Sequence, residues 1–271
     1  NINEDWCKFL KNNNFLVGLS IDGTQYTHDF YRHDKNGATT FDRIKKAAEL
    51  MSEYSIKYNI LTVVNDKVAS NILEIYSYYK ENGWNYQQYI ACLDPLDEKR
   101  GEKKYALRQE QYGKFLIQLF NLWYEDWEKN EQPYIRQFDN YIAILLGYQP
   151  ESCEQRGTCG IQNVVEADGS VFPCDFYMTD DYYIGNYNYD QTETIDEKRR
   201  EIGFVARSTN ISDECRECKF IKICRNGCQR CRDKDDITGK YRNYFCESYK
   251  MFFDECLDKM EYIASYIAKK N

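Results

Sequence analysis

What most constrains this chain is the density of cysteine between Cys153 and Cys246. Cys215-x2-Cys218-x5-Cys224-x3-Cys228 puts four thiols within fourteen residues, too close together for packing residues that happen to be cysteine. Cys153, Cys159 and Cys174 lie upstream, with Gly169 between the last two, and Cys246 lies downstream. Thiolates on short loops are the ligands that zinc and iron–sulfur clusters use, and eight of them make two four-thiolate sets. Zinc ribbons favour paired CxxC knuckles. Here only Cys215/Cys218 and Cys228/Cys231 have that spacing, and the x5 and x3 gaps suit broader loops around a larger cluster. Iron–sulfur is the preferred reading and zinc the alternative. Spacing alone does not choose between Cys228 and Cys231 as ligand. Cys7 and Cys256 fall in helical stretches and read as small packing residues. Cys92, at a strand end, reads as core or as lining a site.

A chain of 271 residues can bury a sizeable core in one large or two modest domains. No run of about 18 apolar residues and no basic start followed by an apolar segment is found. Neither a membrane span nor a signal peptide is expected, so the expected compartment is the cytoplasm. The twelve cysteines are then reduced, which favours metal ligation over disulfides. A net charge of −8 argues against a nucleic-acid partner. Lys219, Lys222, Arg225, Arg230, Arg232 and Lys234 interleave with the cysteines, as in a nucleic-acid-binding zinc ribbon. The preferred reading is that these cations offset the negative charge of thiolate-ligated clusters. The first residue is Asn1, so the chain is expected to be the remainder of something longer.

In chain order, residues 3–13 predict a short helix with Trp6, Phe9 and Leu10 on one side. FLVGLSIDG (15–23) predicts a buried strand of a parallel sheet, closed by Asp22-Gly23. Helices follow at 40–54 and 67–82, and strands at 57–64 and 85–93. This βαβαβ order predicts an α/β barrel or open sheet, with ligands at the carboxyl ends of the strands. Three strands cannot close a barrel, and the missing ones are expected before Asn1. Residues 93–105 read as a polar surface loop, and helices are expected at 108–127 and 134–146. From 151 on the chain is turn-rich, with a β-hairpin at 163–177 turning at Asp168-Gly169 and a final helix at 246–269.

Cys159-x9-Gly169-x4-Cys174, the Cys215–Cys228 run and Cys246 together resemble the SPASM extension of radical S-adenosylmethionine enzymes. With Cys153 and Pro173-Cys174-Asp175-Phe176-Tyr177, and with VGLSIDG, CLDPL and NLWYED, the whole chain resembles the anaerobic sulfatase-maturating enzymes. The resemblance implies a fold of class α/β: the C-terminal part of a partial (β/α)6 radical SAM barrel over 1–150, then a Cys-rich α+β SPASM domain with a C-terminal helix over 151–271. It implies oxidation of a Cys or Ser of a nascent sulfatase peptide to Cα-formylglycine, with a flavodoxin or ferredoxin as electron donor. Two auxiliary 4Fe–4S clusters are implied, one on Cys153, Cys159, Cys174 and Cys228 and one on Cys215, Cys218, Cys224 and Cys246. S-adenosylmethionine contacts fall on Ser20, Arg32 and Leu93. Without the resemblance, Arg32 reads as a solvated loop residue, although its planar fork suits a carboxylate. Asp175 is implied as the base that takes the substrate proton, with burial beside a cluster expected to raise its pKa. The family's CxxxCxxC, which holds the radical-generating cluster near the N-terminus, is read as absent from this chain. Residues 1–271 alone are therefore expected to be inactive. The alternatives are another SPASM-type radical peptide maturase, or a non-catalytic iron–sulfur or zinc module.

Overall fold

The computed structural model describes residues 2–96 and 98–270, in two compact units: Asn1–Leu146 with Glu247–Asn271, and Gly147–Cys246. Asp97, in the expected 93–105 loop, lies outside the described residues. Among the described residues no helix is long and apolar enough to cross a membrane.

The first unit opens with α1 (Glu4–Asn12), capped by the Asn3 side chain, which accepts from Trp6 N. Its buried face is Cys7 and Leu10, packed with Met51 and Ile56, while Trp6 and Phe9, expected on one side with Leu10, are exposed. The strands β1 (Leu16–Ser20), β2 (Lys57–Val64), β3 (Tyr86–Ala91) and β4 (Tyr134–Ile135) form one parallel sheet in that order. The fourth strand was not expected. It is two residues long, too short for an alternating pattern, and it runs straight into a helix that sequence periodicity extends back over it. β1 was expected to be buried but is an edge strand, hydrogen-bonded to β2 alone among the described residues, with Leu16 62% exposed.

Crossover helices follow the strands: α2 (Gln25–Tyr31) and α3 (Phe41–Glu53) after β1, α4 (Asp66–Ser70) and α5 (Ile72–Glu81) after β2, α6 (Gln109–Lys129) after β3 and α7 (Arg136–Leu145) after β4. α2 was missed because its seven residues are too few for a helical period to show. The expected 67–82 helix breaks at Asn71, and Asn65 caps its first part by accepting from Lys67 N and Val68 N. Phe120 centres an aromatic core, its ring 5.7 Å from Trp123, 5.1 Å from Phe138 and 5.9 Å from Phe252. Phe252 belongs to the C-terminal helix Cys246–Lys270, which from Glu247 on is part of this unit. The division at 150/151 had placed that helix with the second domain. Its apolar face, Phe252, Phe253, Cys256, Met260 and Ile263, is buried, with Phe252 against Phe120 and Phe138.

The second unit is built of short pieces. α8 (Cys153–Arg156) precedes a three-stranded antiparallel sheet of β5 (Val164–Val165), β6 (Ser170–Phe172) and β7 (Gly185–Asn186). β5 and β6 are the expected hairpin, with Asp168 accepting from Ser170 N in its turn. After them come α9 (Thr192–Glu201), α10 (Phe204–Arg207), α11 (Asp213–Glu217), α12 (Ile221–Cys224) and a hairpin of β8 (Arg232–Lys234) and β9 (Tyr241–Asn243). Val171, Ile184 and Ile195 form a small apolar cluster, and Tyr177 stacks edge-on to Phe204.

Candidate functional site

In the second unit the thiols lie on loops that tight turns hold in place. α8 ends at Gly157, whose φ of 72° is left-handed and whose Cβ would lie 2.3 Å from the Arg225 carbonyl oxygen. Only glycine lets the Cys153–Cys159 loop rest on the turn between Cys224 and Cys228. In that turn Arg225, Asn226 and Gly227 all have positive φ, which ends α12 and folds Cys228 back. Ser212 caps α11 by accepting from Cys215 N, and Cys246 opens the C-terminal helix.

Electrostatic contact sorts eight of the thiols into two groups. Cys159 interacts with Cys228 and Cys153, and Cys174 with Cys228. Cys224 interacts with Cys246, Cys215 and Cys218. Burial pushes the Cys159 thiol up to about 11 and the Cys224 thiol up to about 12, and holds Cys174 well above the usual thiol range. Cys231 donates its thiol hydrogen to Cys228, which lowers Cys228; the same bond, then burial, raises Cys231. Cys224-x3-Cys228-x2-Cys231 also spells CxxxCxxC, a spacing that sequence reading passed over. The structure divides it, Cys224 going to one group and Cys228 with Cys231 to the other.

The donor set is all thiol. Among the described residues no three His, Cys, Asp or Glu side chains are gathered closely enough to grip one ion. Gln155, between Cys153 and Cys159, and Gln229, next to Cys228, are buried with both amide atoms unpartnered within the protein. Such atoms cost about 1–3 kcal/mol each when left unmade, and the sulfides of an iron–sulfur cluster are acceptors for the N–H groups. The residues fit such clusters. Asp175 is exposed, so the burial expected for it is absent within this unit. Its Oδ1 accepts from the Cys174 thiol at 3.3 Å, at the turn where Tyr177 N bonds Cys174 O.

In the first unit Ser20 and Leu93 stand, half-buried, at or just past the carboxyl ends of β1 and β3. Arg32 is half-buried and tethered. It caps α2 and forks onto Asp22, Nε to Oδ2 at 2.5 Å and Nη2 to Oδ1 at 3.1 Å. Asp22, 3% exposed, also accepts from Val63 N. Asp22 N donates to His28 Nδ1 at 3.1 Å, which leaves the ring hydrogen on Nε2 for Thr40 Oγ1 at 3.0 Å. Thr40 in turn donates to Arg32 O at 3.2 Å. Asp22, His28, Thr40 and Arg32 form a closed polar ring at the end of β1. Gly23 follows with φ of 89°, and a Cβ there would lie 2.4 Å from Thr27 Oγ1. Sequence reading took Asp22-Gly23 as the end of a strand, where ligands were expected, and gave His28 and Thr40 no role. The 93–105 loop is not purely surface either, because Asp94 is fully buried and accepts from Gly101 N and Lys103 N.

Residues 156–219 match the SPASM domain, an iron–sulfur cluster-binding domain. Over 266 residues the chain is 41% identical to a cysteine-type anaerobic sulfatase-maturating enzyme of Clostridium perfringens, covering 98% of this chain and 72% of that one. The chain belongs to the anaerobic sulfatase-maturating enzymes. A serine-type member from Bacteroides thetaiotaomicron is 28% identical over 97% of this chain and 67% of its own length. Among solved structures, native anSMEcpe with bound AdoMet and Cp18Cys peptide matches with a TM-score of 0.91 and 42% identity, over 98% of this chain and 74% of that one. Streptococcus suis SuiB bound to S-adenosylmethionine shares the fold at a TM-score of 0.53 and 17% identity. The fold is that of this family: a parallel α/β sheet from a radical SAM barrel, a Cys-rich SPASM region and a C-terminal helix.

Proposed function

We propose that the protein matures sulfatases, oxidising a cysteine of a sulfatase peptide to Cα-formylglycine by radical S-adenosylmethionine chemistry. The observation that carries this is 41% identity over nearly the whole chain to a cysteine-type enzyme, against 28% to a serine-type one. Cys153, Cys159, Cys174 and Cys228 would hold one auxiliary 4Fe–4S cluster and Cys215, Cys218, Cys224 and Cys246 the other. Cys231 would donate to the Cys228 sulfur. Ser20, Arg32 and Leu93 would bind the cofactor, Arg32 kept in register by its fork on Asp22. When bound, these groups supply a radical that takes a hydrogen atom from the substrate Cβ and an acceptor for the electron released, with a flavodoxin or ferredoxin as outside donor. With four thiolates on each auxiliary cluster, neither has an open iron for S-adenosylmethionine, so residues 1–271 alone are proposed not to cleave it.

Asp175 would take the substrate thiol proton. A carboxylate is ordinarily a much weaker base than a thiolate, so the transfer is uphill for the unmodified substrate. Hydrogen loss from Cβ makes the thiol far more acidic, and a substrate peptide covering the exposed carboxylate supplies the desolvation that the unit alone does not. In the complete enzyme, Asp175→Asn should keep its iron and still yield deoxyadenosine while forming very little formylglycine, read as product mass on a cysteine-containing sulfatase peptide. Near-normal product would make Asp175 an ordinary solvated carboxylate.

A further inference from the structure

We propose that Arg232 is a positioning residue common to both thiolate groups: it clasps their loops and supplies positive charge that offsets the clusters they hold. This rests on the cluster reading above. Arg232 opens β8 and is 6% exposed. Its guanidinium gives four hydrogen bonds, all to backbone carbonyls: Nε to Asn226 O at 3.0 Å, Nη1 to Ser208 O at 2.5 Å, and Nη2 to Gly157 O at 3.0 Å and Gly227 O at 2.6 Å. Each carbonyl belongs to a ligand-bearing loop or its support. Gly157 lies between Cys153 and Cys159, and Asn226 and Gly227 lie between Cys224 and Cys228. Ser208 Oγ accepts from Cys159 N at 2.9 Å. Through Asn226 the clasp reaches the other group, since the Asn226 backbone N–H donates to the Cys224 sulfur.

No carboxylate pairs with this guanidinium among the described residues, and a buried charge without a counter-charge is costly. The groups within electrostatic reach are the thiols of Cys159, Cys228, Cys231 and Cys215, drawn from both sets. As thiolates on clusters, Cys159, Cys228 and Cys215 are the missing counter-charge. A cluster gains negative charge on reduction, so a buried cation beside it favours the reduced form and raises its potential. Lysine keeps the charge but cannot span four carbonyls with a planar fork.

The test compares wild-type, Arg232→Lys and Arg232→Gln protein, anaerobically reconstituted. It measures iron and sulfide per chain, iron retention against a chelator, and cluster potentials by EPR-monitored redox titration. Arg232→Gln is expected to hold iron about 10–100-fold less tightly, and any cluster retained should titrate at a lower potential. Arg232→Lys should bring the potentials back towards wild type without restoring retention. Full retention and unchanged potentials in Arg232→Gln overturn the proposal. Should Arg232→Gln not fold, Arg232→Lys decides, and wild-type retention there overturns the clasp. A wild-type protein that binds stoichiometric zinc and no iron overturns the cluster reading, and this inference with it.

Discussion

The two units are stabilised by different means. The first buries large side chains against one another, with Phe115, Phe120, Phe138, Phe252 and Met260 all under 2% exposed, and satisfies its strands in one parallel sheet. The second has short strands, helices mostly of four or five residues, and a small apolar cluster. Inside it lie buried thiols and, among the described residues, a guanidinium without a carboxylate and glutamine amides without partners. An apolar core is complete when the chain has folded. A thiol-lined interior is complete only when its inorganic partner is bound, and part of the binding free energy is then folding free energy.

The largest effect should therefore come from removing iron. Anaerobic chelation is expected to abolish amide exchange protection across 147–246 while leaving β1–β3 and α6 protected. Retained protection in both units would mean that the second folds on its own apolar contacts. A finer version uses Cys218→Ala, expected to remove about half the iron and leave the Cys153, Cys159, Cys174 and Cys228 group loaded. The reverse experiment is Phe120→Ala, which should cost about 3–5 kcal/mol in chemical denaturation of the first unit with iron per chain unchanged. Iron falling in step with that stability would show the two units to be one cooperative system.

The same contrast explains what the sequence made legible. Repeating patterns announce elements that bury one face, so β2, β3, α3, α6 and the C-terminal helix were readable from periodicity. α2, β4 and β7 have too few residues for any period to appear. β1 was read as buried because its residues are apolar, but burial depends on a partner strand that periodicity does not name. The cysteine spacing identified the thiols, and their sorting into groups came from the family resemblance rather than from spacing. Nothing local marks Asp22, His28 and Thr40 as one ring, since its bonds run between residues six to twelve apart. Arg232 looked like one cation among six, and its four carbonyl acceptors lie on three separate turns.

The smallest expected effect concerns that ring, and it tests whether this polar knot behaves as a fixed part of the first unit's core. His28 is fully buried, and burial lowers its pKa from 6.5; Asp22 opposes that shift and Arg32 adds to it. Its Nδ1 accepts from Asp22 N, so a second proton would break that bond, at a cost of about 1 kcal/mol. With the folded pKa below the unfolded one, the unfolded chain binds the extra proton first as pH falls. The stability His28 contributes is complete above 6.5 and is lost as pH falls through the folded value. Denaturant titrations at pH 5.5 and 7.5 should show the wild type weaker at the lower pH, and His28→Asn, which cannot titrate, with a smaller difference between the two. Because the ring closes on Arg32, affinity for S-adenosylmethionine in the complete enzyme should weaken in the same direction. Equal pH dependence in wild type and His28→Asn would mean that the ring tolerates the second proton, and that carboxylates elsewhere set the acid limb.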